Sequence, residues 1–209
     1  MLSALVLVSK IVANAMPLPL LDFAKELEKS SVSRLQKACY GANPLHTVVL
    51  ADAFAKEVFP SVAMYYEASL CLNQRGQVEP ALRALNLALE IDPEHPASLY
   101  DRAEIYLLDD KFQQAKKDLE RLLLQDVVHW AVYFRRAELA ATEREIEAFD
   151  EHFRRALFEG FQVEMLLDSG QRWLSFIRDS ELGPLIQHQV LLYGSEQLWE
   201  RLQVRAAER

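Results

Sequence analysis

The chain has 209 residues, of which 51% are hydrophobic, and a formal net charge of −8. This length and apolar content allow one or two domains with a buried core and exclude a wholly disordered chain. Residues 60–128 carry seven basic and twelve acidic side chains, a balance of −5. Nucleic-acid binding needs a basic stripe, so this balance disfavours DNA and RNA as partners.

The chain begins with an apolar segment whose role the sequence leaves open. Lys10 interrupts the apolar run and Pro17 follows it, which disfavours a membrane-spanning helix. Residues 13–15, Ala-Asn-Ala, have the small-x-small form of a signal-peptidase site, although no lysine or arginine precedes the run. We predict that residues 1–15 form an uncleaved helix in a cytoplasmic protein. This helix would pack on the body or on a second subunit, which would allow a homodimer through N-terminal helices. The alternative is a cleaved or anchoring segment and an exported protein.

The next residues, 22–59, predict two or three helices. Val32, Leu35 and Cys39 recur at helical spacing before a Gly-Ala-Asn-Pro break, and a second apolar run follows from Val48. We interpret residues 1–59 as N-terminal helices that cap the segment after them, because the terminal unit of a repeat array needs an atypical outer face. A degenerate repeat is the alternative interpretation.

Two cysteines, Cys39 and Cys71, are the only ones in the chain. A chain of this length does not need a disulfide framework, and free cysteine is commonly buried as a small apolar side chain. We therefore predict two reduced, buried thiols.

From Val62 to Val127 the chain repeats one pattern with a period of 34 residues, and a weaker third copy begins at Trp130. The strongest correspondences are Tyr66 with Tyr100 and Phe134, Leu72 with Tyr106, Ala81 with Ala115, and Leu85 with Leu119. Within each copy, apolar residues recur at helical spacing, and the Ile-Asp-Pro-Glu-His-Pro segment cannot continue a helix. A fixed period of this length indicates stacked helix pairs.

These residues resemble the tetratricopeptide repeat, a helix–turn–helix module of 34 residues. In the first copy, Ser69 holds the family's tight-packing position in the first helix, and Gly76 holds the turn. Asp110 replaces the turn glycine in the second copy, and Phe149 replaces a small alanine in the third. The resemblance implies an all-α fold, an α–α superhelix of helical hairpins with flanking capping helices. Within residues 60–161 it places three repeats, at about 62–95, 96–129 and 130–161.

Residues 162–209 lose the period, and we predict that they form C-terminal capping helices. The run from Trp173 to Gln187 resembles the segment that follows the last repeat in longer family members, a short helix and then a turn that contains aspartate. Ser195 is the expected N-cap of a last helix, with Glu196 just inside it.

Catalytic patterns are absent from the sequence. No two of the five histidines stand at the spacing of ligands on one helix, so we predict no metal site. The chain has no glycine-rich phosphate loop, nucleophile elbow or cysteine–histidine motif. We therefore predict a non-enzymatic protein without a cofactor. An enzyme whose site the sequence does not reveal is the alternative from another class.

The family resemblance also implies where a partner binds, because the first helix of each repeat lines a concave groove. The corresponding residues are Tyr66, Leu70 and Asn73 in the first copy, Tyr100, Glu104 and Leu107 in the second, and Phe134, Arg135 and Glu138 in the third. The three aromatic residues would form a ladder in this groove. The alternative is that these rings belong to the core between repeats.

The identity of the partner is constrained by charge. Family members that bind the C-terminal carboxylate of chaperones use lysine, asparagine and arginine in this groove, and the matching positions here lack them. An acidic rim with aromatic rungs favours an extended or helical segment with apolar anchors and basic flanks. We predict a protein–protein interaction adaptor or scaffold. The alternative is a chaperone for exported or secreted proteins, the role of small acidic three-repeat members in bacterial secretion.

Overall fold

A computed structural model describes residues 18–41, 45–57, 60–125 and 129–208. The predicted helix within residues 1–15, and the cleavage alternative for it, lie outside these ranges. The described residues form helices joined by turns and contain no strand, so the predicted all-α fold of helical hairpins is confirmed. Among them, no helix is both long enough and apolar enough to cross a membrane.

The chain forms two compact units that divide between Asp109 and Asp110. Unit 1 contains α1 (Leu18–Cys39), α2 (His46–Glu57), α3 (Val62–Gln74), α4 (Val78–Ile91) and α5 (Pro96–Leu108). Unit 2 contains α6 (Phe112–Leu124), α7 (Trp130–Glu143), α8 (Ile146–Phe158), a 3₁₀ helix (Val163–Asp168), α9 (Gln171–Arg178), α10 (Leu182–Tyr193) and α11 (Glu196–Ala207). The division falls in the turn of the second predicted repeat. The predicted three-part division of the chain stays a prediction.

The 34-residue period of the sequence recurs in the backbone. The first helices of the three copies begin at Val62, Pro96 and Trp130, and the second helices begin at Val78, Phe112 and Ile146. The turn between the two helices of each copy holds one residue with positive φ: Gly76 at 70°, Asp110 at 54° and Arg144 at 62°. Residues with a Cβ atom seldom adopt this conformation, although aspartate tolerates it better than most. The turn geometry is therefore kept in copies that have lost the glycine.

The N-caps of the first helices follow the same period. The Ser61 Oγ atom accepts the Met64 N–H at 3.1 Å. The Nδ1 atom of His95 accepts the Ser98 N–H at 3.3 Å, and that of His129 accepts the Ala131 N–H at 3.2 Å. Each cap satisfies one of the donors that the first turn of a helix leaves unpaired.

The core of unit 1 centres on the α3–α4 hairpin, against which α1 packs. Its fully buried residues include Leu35 on α1, Ala68 and Leu72 on α3, and Ala81 and Ala88 on α4. The alanines allow close approach of the two helices, while the leucines supply most of the buried apolar area.

A disulfide joins Cys39 at the end of α1 to Cys71 on α3. The prediction of two reduced thiols is therefore wrong. Both cysteines are buried, as predicted, but α1 packs along α3 and brings their Cα atoms to 5.5 Å. Because α1 lies outside the repeat period, the sequence did not indicate which helix it would contact.

The core of unit 2 is rich in aromatic rings. Phe149 and Phe153 on α8 are fully buried, with ring centroids 5.6 Å apart, and Phe161 lies beside them. Phe149 replaces a small residue of the family pattern, yet the α7–α8 hairpin forms, because α9 also packs on this ring through Trp173.

The segment after the third copy contains the aspartate turn that the sequence predicts. The Oδ1 atom of Asp179 accepts the N–H groups of Glu181 and Leu182, at 2.9 and 3.0 Å, where α10 begins. Its other oxygen accepts a hydrogen bond from Arg144, which also pairs with Glu181 at 2.9 Å. The two backbone donors, followed by the Arg144 guanidinium, lower the pKa of Asp179. This turn ties α10 to the α7–α8 turn.

Candidate interaction surface

Five of the predicted partner-binding residues lie in unit 1 and are at least partly exposed. They are Tyr66, Leu70 and Asn73 on α3 and Tyr100 and Glu104 on α5, and we call them the unit 1 face. The sixth predicted residue of this unit, Leu107, is only 2% exposed and belongs to the core. It is therefore not available to a partner.

A hydrogen bond between Tyr66 and Asp101 joins α3 to α5 within this face. The Tyr66 hydroxyl donates to the Asp101 carboxylate. Burial, followed by the Asp101 charge, raises the pKa of Tyr66, so the phenol remains a proton donor. Burial and the nearby Glu104 raise the pKa of Asp101, while the hydrogen bond from Tyr66 opposes this shift. Rings and carboxyl groups thus stand side by side on the unit 1 face.

His95 supports this arrangement from the start of α5. Its ring packs edge-on against Tyr66, with centroids 5.4 Å apart, and its Nδ1 atom caps the helix. A nitrogen that accepts an N–H hydrogen bond carries no proton, so the geometry requires neutral Nδ1. Burial lowers the pKa of His95 from its ordinary value of 6.5, although Asp92 partly opposes the shift.

We expect the stability of unit 1 to fall in mild acid because of His95. A pKa that is lower in the folded than in the unfolded state means that the unfolded chain binds the proton more readily. The contribution of His95 is therefore complete above pH 6.5 and is lost as the pH falls through the folded pKa. Thermal melts between pH 7.5 and 5 measure the loss. Asparagine keeps an N-cap, so His95→Asn should melt like wild type at pH 7.5 and show a smaller acid loss. An unchanged pH dependence in this variant would contradict the assignment.

The third predicted rung of the aromatic ladder, Phe134, is buried in the core of unit 2. It is 9% exposed, and its ring stacks on Trp173 at a centroid distance of 4.3 Å and on Phe161 at 4.4 Å. Of the two interpretations that the sequence left open, core is therefore the correct one for this ring. The reason is that α9, which follows the third copy, places Trp173 over the position where a partner would bind.

The other two predicted residues of the third copy, Arg135 and Glu138, bond to each other. The buried Glu138 carboxylate accepts from Arg135 at 2.8 Å and from Arg172 of α9 at 3.1 Å. Arg172 also bonds to Asp110 at 2.7 Å. A buried carboxylate between two guanidinium groups has its charge compensated inside the protein, so Glu138 is a structural residue and not a contact for a partner.

A solved structure and a family model resemble this chain. The structure, titled "MamA RS-1 ArsTM double mutant", is 14% identical in sequence and superposes with a TM-score of 0.58, covering 88% of this chain and 96% of that one. This likeness concerns the fold. The family model described as tetratricopeptide repeat matches residues 62–95, which contain the α3–α4 hairpin. The chain is a tetratricopeptide repeat protein. No curated protein matched the sequence.

Tetratricopeptide repeat proteins are in general non-catalytic scaffolds that bind other proteins. Within the described ranges, no three histidine, cysteine, aspartate or glutamate side chains are grouped so that they could hold a metal ion. The unit 1 face belongs to the first two copies of the repeat, and the first of them is the one that the family model matches.

The third tetratricopeptide copy exchanges the roles of two neighbouring rings. In the first copy Tyr65 is buried and Tyr66 half-buried, whereas in the third Phe134 is buried and Tyr133 half-buried. Sequence reasoning missed this exchange. The signal that could have found it is Trp173, a large apolar residue in the segment after the last repeat that needs a ring to pack against.

Proposed function

We propose that the protein is a non-enzymatic adaptor that binds a polypeptide segment on the unit 1 face. The observation that carries this proposal is the contact between Tyr66 and Asp101, which sets a partly exposed ring beside a carboxylate. Leu70 and Tyr100 extend the apolar part of the face, and Glu104 extends its acidic part. Leu107, Phe134 and Glu138 are left out of the proposed site because they are buried.

A partner that matches this face is an extended or helical segment with apolar anchors and basic flanks. Aromatic rings supply large contact areas at small entropic cost, which is why they dominate binding energies. The carboxylates would pair with lysine or arginine on either side of the anchor and so fix its orientation. The acidic balance of residues 60–128 favours the same class of partner.

Site-specific photo-crosslinking in lysate from the native source tests the location. A benzophenone amino acid at Asn73, which is exposed on α3, should capture a partner, whereas the same group at Arg83, exposed on α4, should not. Equal capture at both positions would contradict the proposal. Capture of many unfolded polypeptides, without one defined partner, would favour the chaperone alternative.

Truncation of Tyr100 tests the energy of binding once a partner has been captured. Tyr100→Ala should weaken binding by about 2 kcal/mol, the scale of an interface hot spot. It should destabilise the fold by less than the roughly 3–5 kcal/mol that truncation of a buried ring costs. Leu108→Ala is the matched control, because Leu108 is exposed on the same helix and outside the unit 1 face. A large loss of stability with unchanged affinity would assign Tyr100 to the core.

A further inference from the structure

Unit 2 has an open groove of about 760 Å³ that includes none of the residues predicted to bind a partner. We call it the α8 groove. Helix α8 contributes His152, Arg154, Arg155 and Phe158, Tyr133 comes from α7, and Tyr193 closes one end from α10. Pockets for small molecules are usually enclosed and mostly apolar. This groove is open and lined by both charged and aromatic side chains, which suits a polypeptide better.

Aromatic rings provide the apolar part of the α8 groove. Phe158 is 76% exposed and Tyr193 is 55% exposed. The Arg155 guanidinium lies 5.3 Å from the centroid of the Phe158 ring and 5.6 Å from that of Tyr133. Contacts of this kind hold the guanidinium in place through attraction to the ring faces. Exposed aromatic residues together with arginine form the residue set that most often dominates binding energy at protein interfaces.

The charge of the α8 groove is opposite to that of the unit 1 face. Arg154 and Arg155 line it with half-buried His152, and Glu151 is its single lining carboxylate. Each arginine has a partner on its own helix: Arg154 pairs with Asp150, and Arg155 with Glu159 at 2.8 Å. Exposed pairs four residues apart on a helix stabilise it by only about 0.3–0.5 kcal/mol. A carboxylate from a partner could therefore replace them at little cost.

We propose that the α8 groove binds an acidic polypeptide segment that carries an aromatic or large aliphatic anchor. The anchor would pack between Phe158 and Tyr193, and the flanking carboxylates would pair with Arg154 and Arg155. A basic patch in a chain of net charge −8 selects against basic segments, so this partner differs from the one proposed for the unit 1 face. The inference does not depend on the function proposed above, because the α8 groove lies wholly within unit 2.

Fluorescence anisotropy with three labelled peptides and the full chain tests this proposal. The first probe is a short glutamate-rich peptide with one central tryptophan and flanking leucines. The second has lysine in place of each glutamate, and the third has glycine in place of the tryptophan and leucines. The first should bind at least about tenfold more tightly than either of the others, and higher salt should weaken its binding. Equal binding of the first two probes, or no binding of the first, overturns the proposal.

Paired variants place the bound probe in the groove. Arg155→Glu and Phe158→Ser should each weaken binding of the first probe about tenfold or more. The matched controls, Arg201→Glu and Val204→Ser, change exposed residues of α11 outside the groove and should bind like wild type. All six side chains other than His152 and Tyr133 that are named here in or near the site are exposed, so folding of the variants can be checked by their melts. Equal losses in controls and groove variants overturn the assignment.

The oligomeric state separates this partner from a second copy of the chain. Sedimentation should show the same association state for wild type, Arg155→Glu and Phe158→Ser. If wild type forms a dimer that these two variants dissociate, the α8 groove is an interface between copies and the proposal of an acidic partner is wrong.

Discussion

Replacement of Trp173 with alanine should destabilise unit 2 by about 3–5 kcal/mol, the cost of truncating a large buried ring. The indole is 2% exposed and stacks on Phe134 at an interplanar angle of 7°. Its centroid also lies 5.6 Å from that of Phe153. The alanine variant would leave a cavity between the third hairpin and α9, and a well-packed core relaxes only partly into such a cavity. Urea denaturation followed by circular dichroism measures the loss.

Phe158→Ala is the matched control for Trp173→Ala. It also removes a ring from unit 2, but this ring is exposed, so the change in stability should stay within about 0.5 kcal/mol. Hydrogen exchange localises the effect, because amides of α7 and α8 should lose protection in the Trp173 variant. Equal stability of the two variants would mean that α9 does not cover the third copy, and Phe134 would return to the set of candidate binding residues.

The sequence predicts the helical hairpins because their signal is local and repeated. Helix starts at Val62, Pro96 and Trp130 follow from a period that each copy states independently. The choice between Tyr133 and Phe134 as the buried ring is different in kind. Adjacent residues on a helix point about 100° apart, so two neighbouring rings can both border one apolar stripe. What decides between them is Trp173, which is distant in sequence and lies outside the period.

Capping by His95 and His129 was also missed, for a different reason. Histidine is not among the preferred N-cap residues, so neither position matched the usual signal. Their spacing of 34 residues from each other and from Ser61 was nevertheless visible in the sequence. Of the candidate site, the sequence could place residues on the first helices of the repeats. It could not establish exposure, because the burial of Phe134 and Glu138 depends on α9.

Reduction of the disulfide between Cys39 and Cys71 should destabilise unit 1 by about 3–4 kcal/mol. The two cysteines are 32 residues apart in sequence. Closing a loop of that size restricts the unfolded chain, and the chain-entropy relation gives a value in this range. Thermal melts with and without a reductant measure the difference. The double variant Cys39→Ala/Cys71→Ala should melt close to the reduced wild type and should not respond to the reductant. Identical melts of oxidised and reduced wild type would show that the link does not support α1.

The same disulfide bears on the compartment in which the protein folds. Thiol-reducing systems keep cysteines reduced in the cytosol, whereas disulfides persist in oxidising compartments. Alkylation of protein from the native source, before any reductant is added, followed by mass spectrometry, should therefore find no label on Cys39 or Cys71 if the protein matures under oxidising conditions. Label on both would support the predicted cytoplasmic location. In that case α1 would be held to α3 by packing alone, and the stability of unit 1 in the cell would be the lower, reduced value.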